Sequence, residues 1–265
     1  MIHAATTRRE RIVVYGDRGG GKSSTYVSIA DWLDRTGSDR AVWLADSDRG
    51  WDGNRPEDGS LDRYFRVFSL DREEFGGRGG WLSQAKAVRR EIHPDDWFAV
   101  DLQTHAWEGA QRYYWGEKSG NDSLAELWLR SRPQDVSGDH GTNWGVINKF
   151  YGEWTAFVSS LPCHVLFLAS ASEIREPNSQ GKGGDDLDVR SYYGKVRYRM
   201  EGQKDLRGEG HSVLYAFEAN GRYRYTSVKE RGPIGRAKRR LLVNEDVTDV
   251  GFVPGYLIGV AGWRP

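Results

Sequence analysis

Gly16-Asp17-Arg18-Gly19-Gly20-Gly21-Lys22-Ser23 carries the spacing G-x-x-x-x-G-K-[ST]. Glycines at those places let the chain turn tightly, so that successive main-chain N–H groups converge on one anion. The lysine brings an ammonium to the β- and γ-phosphates of a nucleotide, and the hydroxyl after it is a ligand for Mg²⁺. The chemistry implied is capture of ATP as substrate with Mg²⁺ as cofactor. Residues 16 to 23, with Ser24 at the start of the next element, form the binding stretch.

Carboxylates at the ends of apolar runs supply the other half of that chemistry. Asp101 closes WFAVD and is placed to hold Mg²⁺ directly or through water, paired with Ser23. Asp46 and Asp48 end AVWLADSD, and ligands of open parallel sheets lie beyond the carboxyl ends of strands. Either acid is a candidate general base for the attacking water; Asp48 is preferred, and Glu173 is an alternative. Ser170 and Ser172, at the end of HVLFLAS and just beyond it, are candidates to sense the γ-phosphate by hydrogen bonding.

These residues need a scaffold, and the chain spells one out. RIVVY (11–15) is a short β-branched run ending at glycine, which reads as a buried strand. STYVSIADWLDRT then has apolar residues at helical spacing and stops at Gly37. Residues 41–48, 64–70, 97–101 and 164–170 read as further strands. WLSQAKAVRREI is a helix, and the apolar face of Trp144, Ile147, Trp154 and Leu161 marks a longer one. Strands alternating with helices at this spacing predict βαβ crossovers and a mostly parallel sheet. Residues 116–145 fit no element. EIREPNSQGKGGDDLD reads as a loop, and SVLYAFEA and RYRYTSVK as a hairpin closed by Asn220-Gly221 in type I′ geometry. The expectation is one α/β domain over residues 1–265, with a core at 11–235 and a C-terminal extension at 236–265.

Composition narrows the class. With 38% hydrophobic and 29% charged residues the chain is globular, and no run approaches a membrane span. The first residues contain no apolar signal segment, and the single cysteine, Cys163, permits neither an internal disulfide nor a multi-cysteine zinc site. A soluble cytoplasmic protein is expected. Lys and Arg total 38, as do Asp and Glu, so a surface basic throughout is excluded while a local basic groove is not.

Taken in order, the glycine-rich loop, the acid-tipped second strand, WFAVD, the long helix, HVLFLAS, the loop and the hairpin resemble the RecA-like P-loop NTPase core. The closest resemblance is to small RecA-like ATPases of bacteriophages, including those that support single-strand annealing in recombination. The resemblance implies that Lys22 and Ser23 are the phosphate-loop lysine and hydroxyl and that Asp101 is the Walker B acid. Asp48 then falls where such proteins carry a catalytic glutamate one methylene longer, and Ser170 to Ser172 fall near the sensor residue.

Lys229-Glu230-Arg231-Gly232-Pro233 is similar to the K-x-R-x-G element of RecA-like hexameric helicases, which implies that Lys229 and Arg231 reach a neighbouring subunit's nucleotide. A trans finger requires head-to-tail homo-oligomers, a ring or a filament. The resemblance also implies that the loop after the fourth strand contacts single-stranded DNA. Arg190, Lys195, Arg197 and Arg199 interleave there with Tyr192, Tyr193 and Tyr198, cations for phosphates and rings for bases, although Asp185 to Asp188 oppose it. The function implied is ATP hydrolysis coupled to DNA in recombination or replication. A DNA-translocating motor, a nucleotide-kinase-like phosphotransferase and a non-hydrolysing nucleotide-dependent scaffold are the alternatives.

Overall fold

A computed structural model of the chain describes residues 9–71, 74–77, 79–119, 140–179, 183–202, 206–230 and 241–259. Among them, nine strands form a mixed sheet. The strands are β1 (Arg11–Gly16), β2 (Val42–Asp46), β3 (Phe65–Ser69), β4 (Trp97–Asp101), β5 (His164–Glu173), β6 (Tyr198–Met200), β7 (Ser212–Ala219), β8 (Arg222–Glu230) and β9 (Glu245–Asp246). Their order is β3-β2-β4-β5-β1-β7-β8-β9, with β6 added antiparallel to the far end of β5. From β3 to β7 every pairing is parallel, while β8 and β9 return antiparallel. The expected α/β class with a mostly parallel sheet and a C-terminal hairpin is therefore present.

The central strands are buried on both faces, so they read as continuous apolar runs without alternation. Along β1, Ile12 and Val14 face one side and Val13 and Tyr15 the other, following the period of two. The first side is covered by α1 (Ser24–Arg35) through Tyr26, Ile29, Ala30 and Leu33. The second is covered by α3 (Trp81–Val88), α4 (Gln103–Ser119) and α5 (His140–Ser159), where Trp81 and Trp154 meet edge to face. Short helices α2 (Gly50–Asn54), α6 (Leu187–Tyr193) and α7 (Leu206–Glu209) complete the set. The tail adds Phe252, Val253, Tyr256 and Leu257 from a π-helix at Val253–Ile258 to the α1 face, so it packs into the same core.

Most differences from the sequence reading lie at ends. The helix at residue 81 stops at Val88 and leaves residues 89–91 as turns; β5 runs on to Glu173 because β6 pairs with Ala171 to Glu173. α4 was not anticipated, and part of the loop expected after residue 173 is helical in α6. Asn220 and Gly221 both have positive φ, 56° and 74°, as a type I′ turn requires. Among the described residues no helix is long and apolar enough to cross a membrane.

Candidate functional site

Parallel register brings the chemistry to one edge of the sheet. Asp46 of β2 is level with Asp101 of β4, and Gly16 of β1 is level with Ser170 of β5 and Ala216 of β7. The glycine-rich loop leaves β1 at that edge and enters α1. A Cβ on Gly16 would lie 2.0 Å from the Ala216 carbonyl oxygen, so only glycine lets the loop begin so close to β7. Gly19 and Gly21 take φ of +79° and +81°, a region L-residues rarely occupy. Gly16→Ala is accordingly expected to destabilise the fold by at least about 3 kcal/mol, since backbone rather than a flexible side chain must move. Gly19→Ala meets nothing within 4 Å and should lose only about 1 kcal/mol for its φ. Denaturant midpoints of the two variants decide, and equal losses would contradict this reading.

Lys22 is buried and its ammonium donates to the carbonyls of Gly16, at 2.9 Å, and Asp17, at 2.7 Å. Burial lowers its pKa, against the opposing field of Asp101, Asp17, Asp48 and Glu201. The cation therefore sits inside the loop's own curve. Ser23 precedes α1 and donates its hydroxyl to Oδ2 of Asp101 at 2.9 Å, across 78 residues of sequence. Asp101 is 1% exposed. Burial pushes its carboxyl up to about 7, helped by the charges of Asp48 and Asp46 and opposed by the Ser23 hydrogen bond. A divalent cation at Ser23 and Asp101 would restore the ionised carboxylate by placing opposite charge against it.

The structure separates the two acids that the sequence left side by side. Asp46 is buried and both its oxygens are used, Oδ1 by the N–H groups of Asp48 and Gly50 and Oδ2 by that of Trp51. It ties down the turn into α2. Asp48 is exposed, and its Oδ1 and Oδ2 of Asp101 each lie 2.9 Å from where a Cβ on Gly50 would stand. Gly50 thus leaves the gap that the two carboxylates flank. Ser170 donates its N–H to Thr104 Oγ1, and the buried Ser172 hydroxyl has no hydrogen-bond partner. Glu173 lies three residues past the level of Gly16, roughly 10 Å farther along the strand, and is exposed.

Two site residues escaped the sequence reading. Glu201 follows β6, donates its N–H to the Ser170 carbonyl, and has its carboxyl pKa raised by partial burial and by Glu108 and Asp17, with Arg199 and Lys22 opposing. Tyr26, in the first turn of α1, is fully buried beside Ser23 and Asp101, and burial together with the Asp101 charge raises its pKa. Neither carries a motif; both depend on long-range packing.

Several candidates are placed elsewhere. Lys229 donates to the carbonyls of Arg207, at 2.6 Å, and Gly210, at 2.6 Å, so it closes the end of α7 within its own subunit. Arg231 lies outside the described residues. Tyr193 is 3% exposed and packs edge-on to Tyr15, which removes it as a base-stacking ring. Tyr192 lies under the Arg207 guanidinium, and Tyr198 stacks on Tyr215. Arg190 pairs with Glu176, and Arg199 with Asp185. Lys195 and Arg197 remain exposed at the surface.

Chemically, the arrangement offers a loop that can wrap an anion, an ammonium inside it, and a hydroxyl–carboxylate pair beside it. Among the described residues no three His, Cys, Asp or Glu side chains converge on one point. No protein-family model matches the chain, and no curated protein is similar enough to count as a relative.

Proposed function

We propose that the chain is a RecA-like ATPase that assembles head to tail and acts on single-stranded DNA in phage-type recombination or replication. One observation carries the ATPase reading: Ser23 Oγ meets Asp101 Oδ2 at 2.9 Å at the mouth of a glycine-rich loop that holds Lys22. The strand order supports the RecA-like assignment, since a single strand, β5, separates the loop strand from the strand that ends in Asp101.

The loop amides and the N-terminus of α1 bind the phosphates, and Lys22 exchanges its two carbonyl partners for phosphate oxygens. Ser23 and Asp101 would hold Mg²⁺, which would supply positive charge against that developing in phosphoryl transfer. Asp48 accepts a proton from the attacking water as the γ-phosphorus–oxygen bond breaks, releasing ADP and phosphate. Ser170 and Ser172, in β5 beside the loop strand, register whether the γ-phosphate is present. Arg231 from a neighbour supplies the guanidinium that stabilises the transferring group. Lys195 and Arg197 are the exposed cations left for DNA phosphates.

The test is ATP turnover with and without single-stranded DNA. Wild type should be stimulated by DNA, and Arg231→Ala should lose about 10³-fold. Mixing Arg231→Ala with Lys22→Ala should restore activity, because the second variant lends its arginine to the intact site of the first. No restoration, or DNA-independent turnover by a monomer, contradicts the assembly.

A further inference from the structure

We propose that Tyr223 is the platform on which the nucleotide's base stacks, an inference that rests on the ATP-binding reading of the glycine-rich loop. The sheet order fixes which way a nucleotide must lie. β1 has β5 and then β4 and β2 on one flank, and β7 and then β8 on the other. The hydroxyl–carboxylate pair and Asp48 belong to the first flank, so the reacting, terminal phosphate faces that way. A triphosphate threaded through the loop in that sense delivers its nucleoside to the flank of β7 and β8.

Tyr223 stands there. It belongs to β8 opposite Glu218, two residues beyond the Ala216–Tyr225 pair that is level with Gly16, and so projects past the sheet edge where the loop begins. Tyr225, two residues along and on the same face, is buried in the α1 cluster, which puts Tyr223 on the α1 side. Its ring lies against the loop itself. Three ring carbons are 2.8, 3.3 and 3.3 Å from the position a Cβ on Gly21 would take. The residue is nevertheless 40% exposed, so part of the ring is open to a ligand.

The backbone that carries the ring is also held in place. The Tyr223 N–H donates to Thr248 Oγ1 at 2.8 Å, and its carbonyl accepts the Val247 N–H at 3.0 Å. Arg222 beside it is ion-paired with Asp246 and Asp249. Those contacts order the backbone before any ligand arrives, which is what a stacking surface needs if ordering is not to offset the stacking. Every base has a π face, so a lone tyrosine supports purines in general and does not choose among them.

The experiment compares the dissociation constants of MgATP, MgGTP and magnesium tripolyphosphate for the full-length chain carrying Tyr223→Ala, Tyr223→Phe or Lys22→Ala. Tyr223→Ala should weaken ATP and GTP alike by about 10- to 100-fold while leaving tripolyphosphate within about twofold. Tyr223→Phe should bind all three as wild type does. ATP binding unchanged in Tyr223→Ala overturns the proposal. An equal loss of ATP and tripolyphosphate also overturns it, because the ring would then be shaping the loop rather than meeting a base. If Lys22→Ala binds all three ligands normally, the loop reading itself fails and the platform with it, a result distinct from either of the others.

Discussion

Asp101→Asn should lower Mg²⁺-dependent ATP turnover by about 10³-fold and, in the same protein, raise the stability of the nucleotide-free fold at pH 8. The loss of activity follows from geometry. Asparagine keeps the shape and can still accept the Ser23 hydroxyl, but it brings no negative charge to the cation, and a tenfold change in rate corresponds to about 1.36 kcal/mol of barrier. The gain in stability follows from burial. Asp101 is 1% exposed and its carboxyl titrates near 7 in the fold, far above the ordinary carboxylate range.

Between about pH 4 and pH 7 the folded chain therefore holds a proton that the unfolded chain has released. Stability falls as pH rises through that window, and by pH 8 the buried charge has imposed its full cost. Asparagine never ionises, so the variant should exceed wild type by about 1–3 kcal/mol at pH 8 and match it near pH 4. Thermal unfolding without nucleotide or Mg²⁺, run at both pH values, reads this directly. A variant less stable than wild type by one margin at both pH values would mean that Asp101 is a structural partner of Ser23 and not a poised ligand. Added Mg²⁺ and ATP should reverse the order of stabilities at pH 8, because only the carboxylate recovers its charge partner.

Opposite effects of one substitution on activity and on the empty fold are characteristic of sites in which strain is retained for function. Lys22 belongs to the same pattern. Its ammonium is held by two carbonyls in a buried position, where desolvation disfavours the charge and the nearby carboxylates only partly offset that cost.

Much of this site is legible in the sequence because its parts are local. RIVVY followed by glycines and then by an amphipathic stretch specifies strand, loop and helix within about 25 residues, and their contacts need no distant partner. WFAVD shows an acid at a strand end, and the parallel register then brings Asp101 to Ser23. The Asn220-Gly221 turn is dictated by backbone sterics alone.

What is not legible depends on which distant surface a residue meets. Asp46 and Asp48 are two residues apart, and only the turn into α2 shows that one is buried with both oxygens on backbone amides while the other is exposed beside Asp101. Tyr193 reads as an exposed ring beside charged neighbours, yet α6 turns it onto Tyr15. Lys229 sits in a basic stretch, but the carbonyls at the end of α7 claim it first. α4 was missed because Gln103–Ser119 mixes glycines, rings and charges without a clean apolar stripe; its burial comes from α5 and β5. Gly21 and Tyr223 are 202 residues apart, and no periodicity connects them.

The central claim is that the loop from Gly16 to Ser23 holds a triphosphate through its amides and one ammonium. Calorimetric titration of MgATP into wild type and Lys22→Ala tests it most directly, with circular dichroism to establish that both are folded. Lys22→Ala removes the charge but leaves the glycines and the Ser23–Asp101 pair, so the variant should fold, bind MgATP at least about 100-fold more weakly, consistent with a charge-assisted contact of roughly 3 kcal/mol, and turn over no ATP. A folded Lys22→Ala protein that binds and hydrolyses ATP as wild type does would contradict the account.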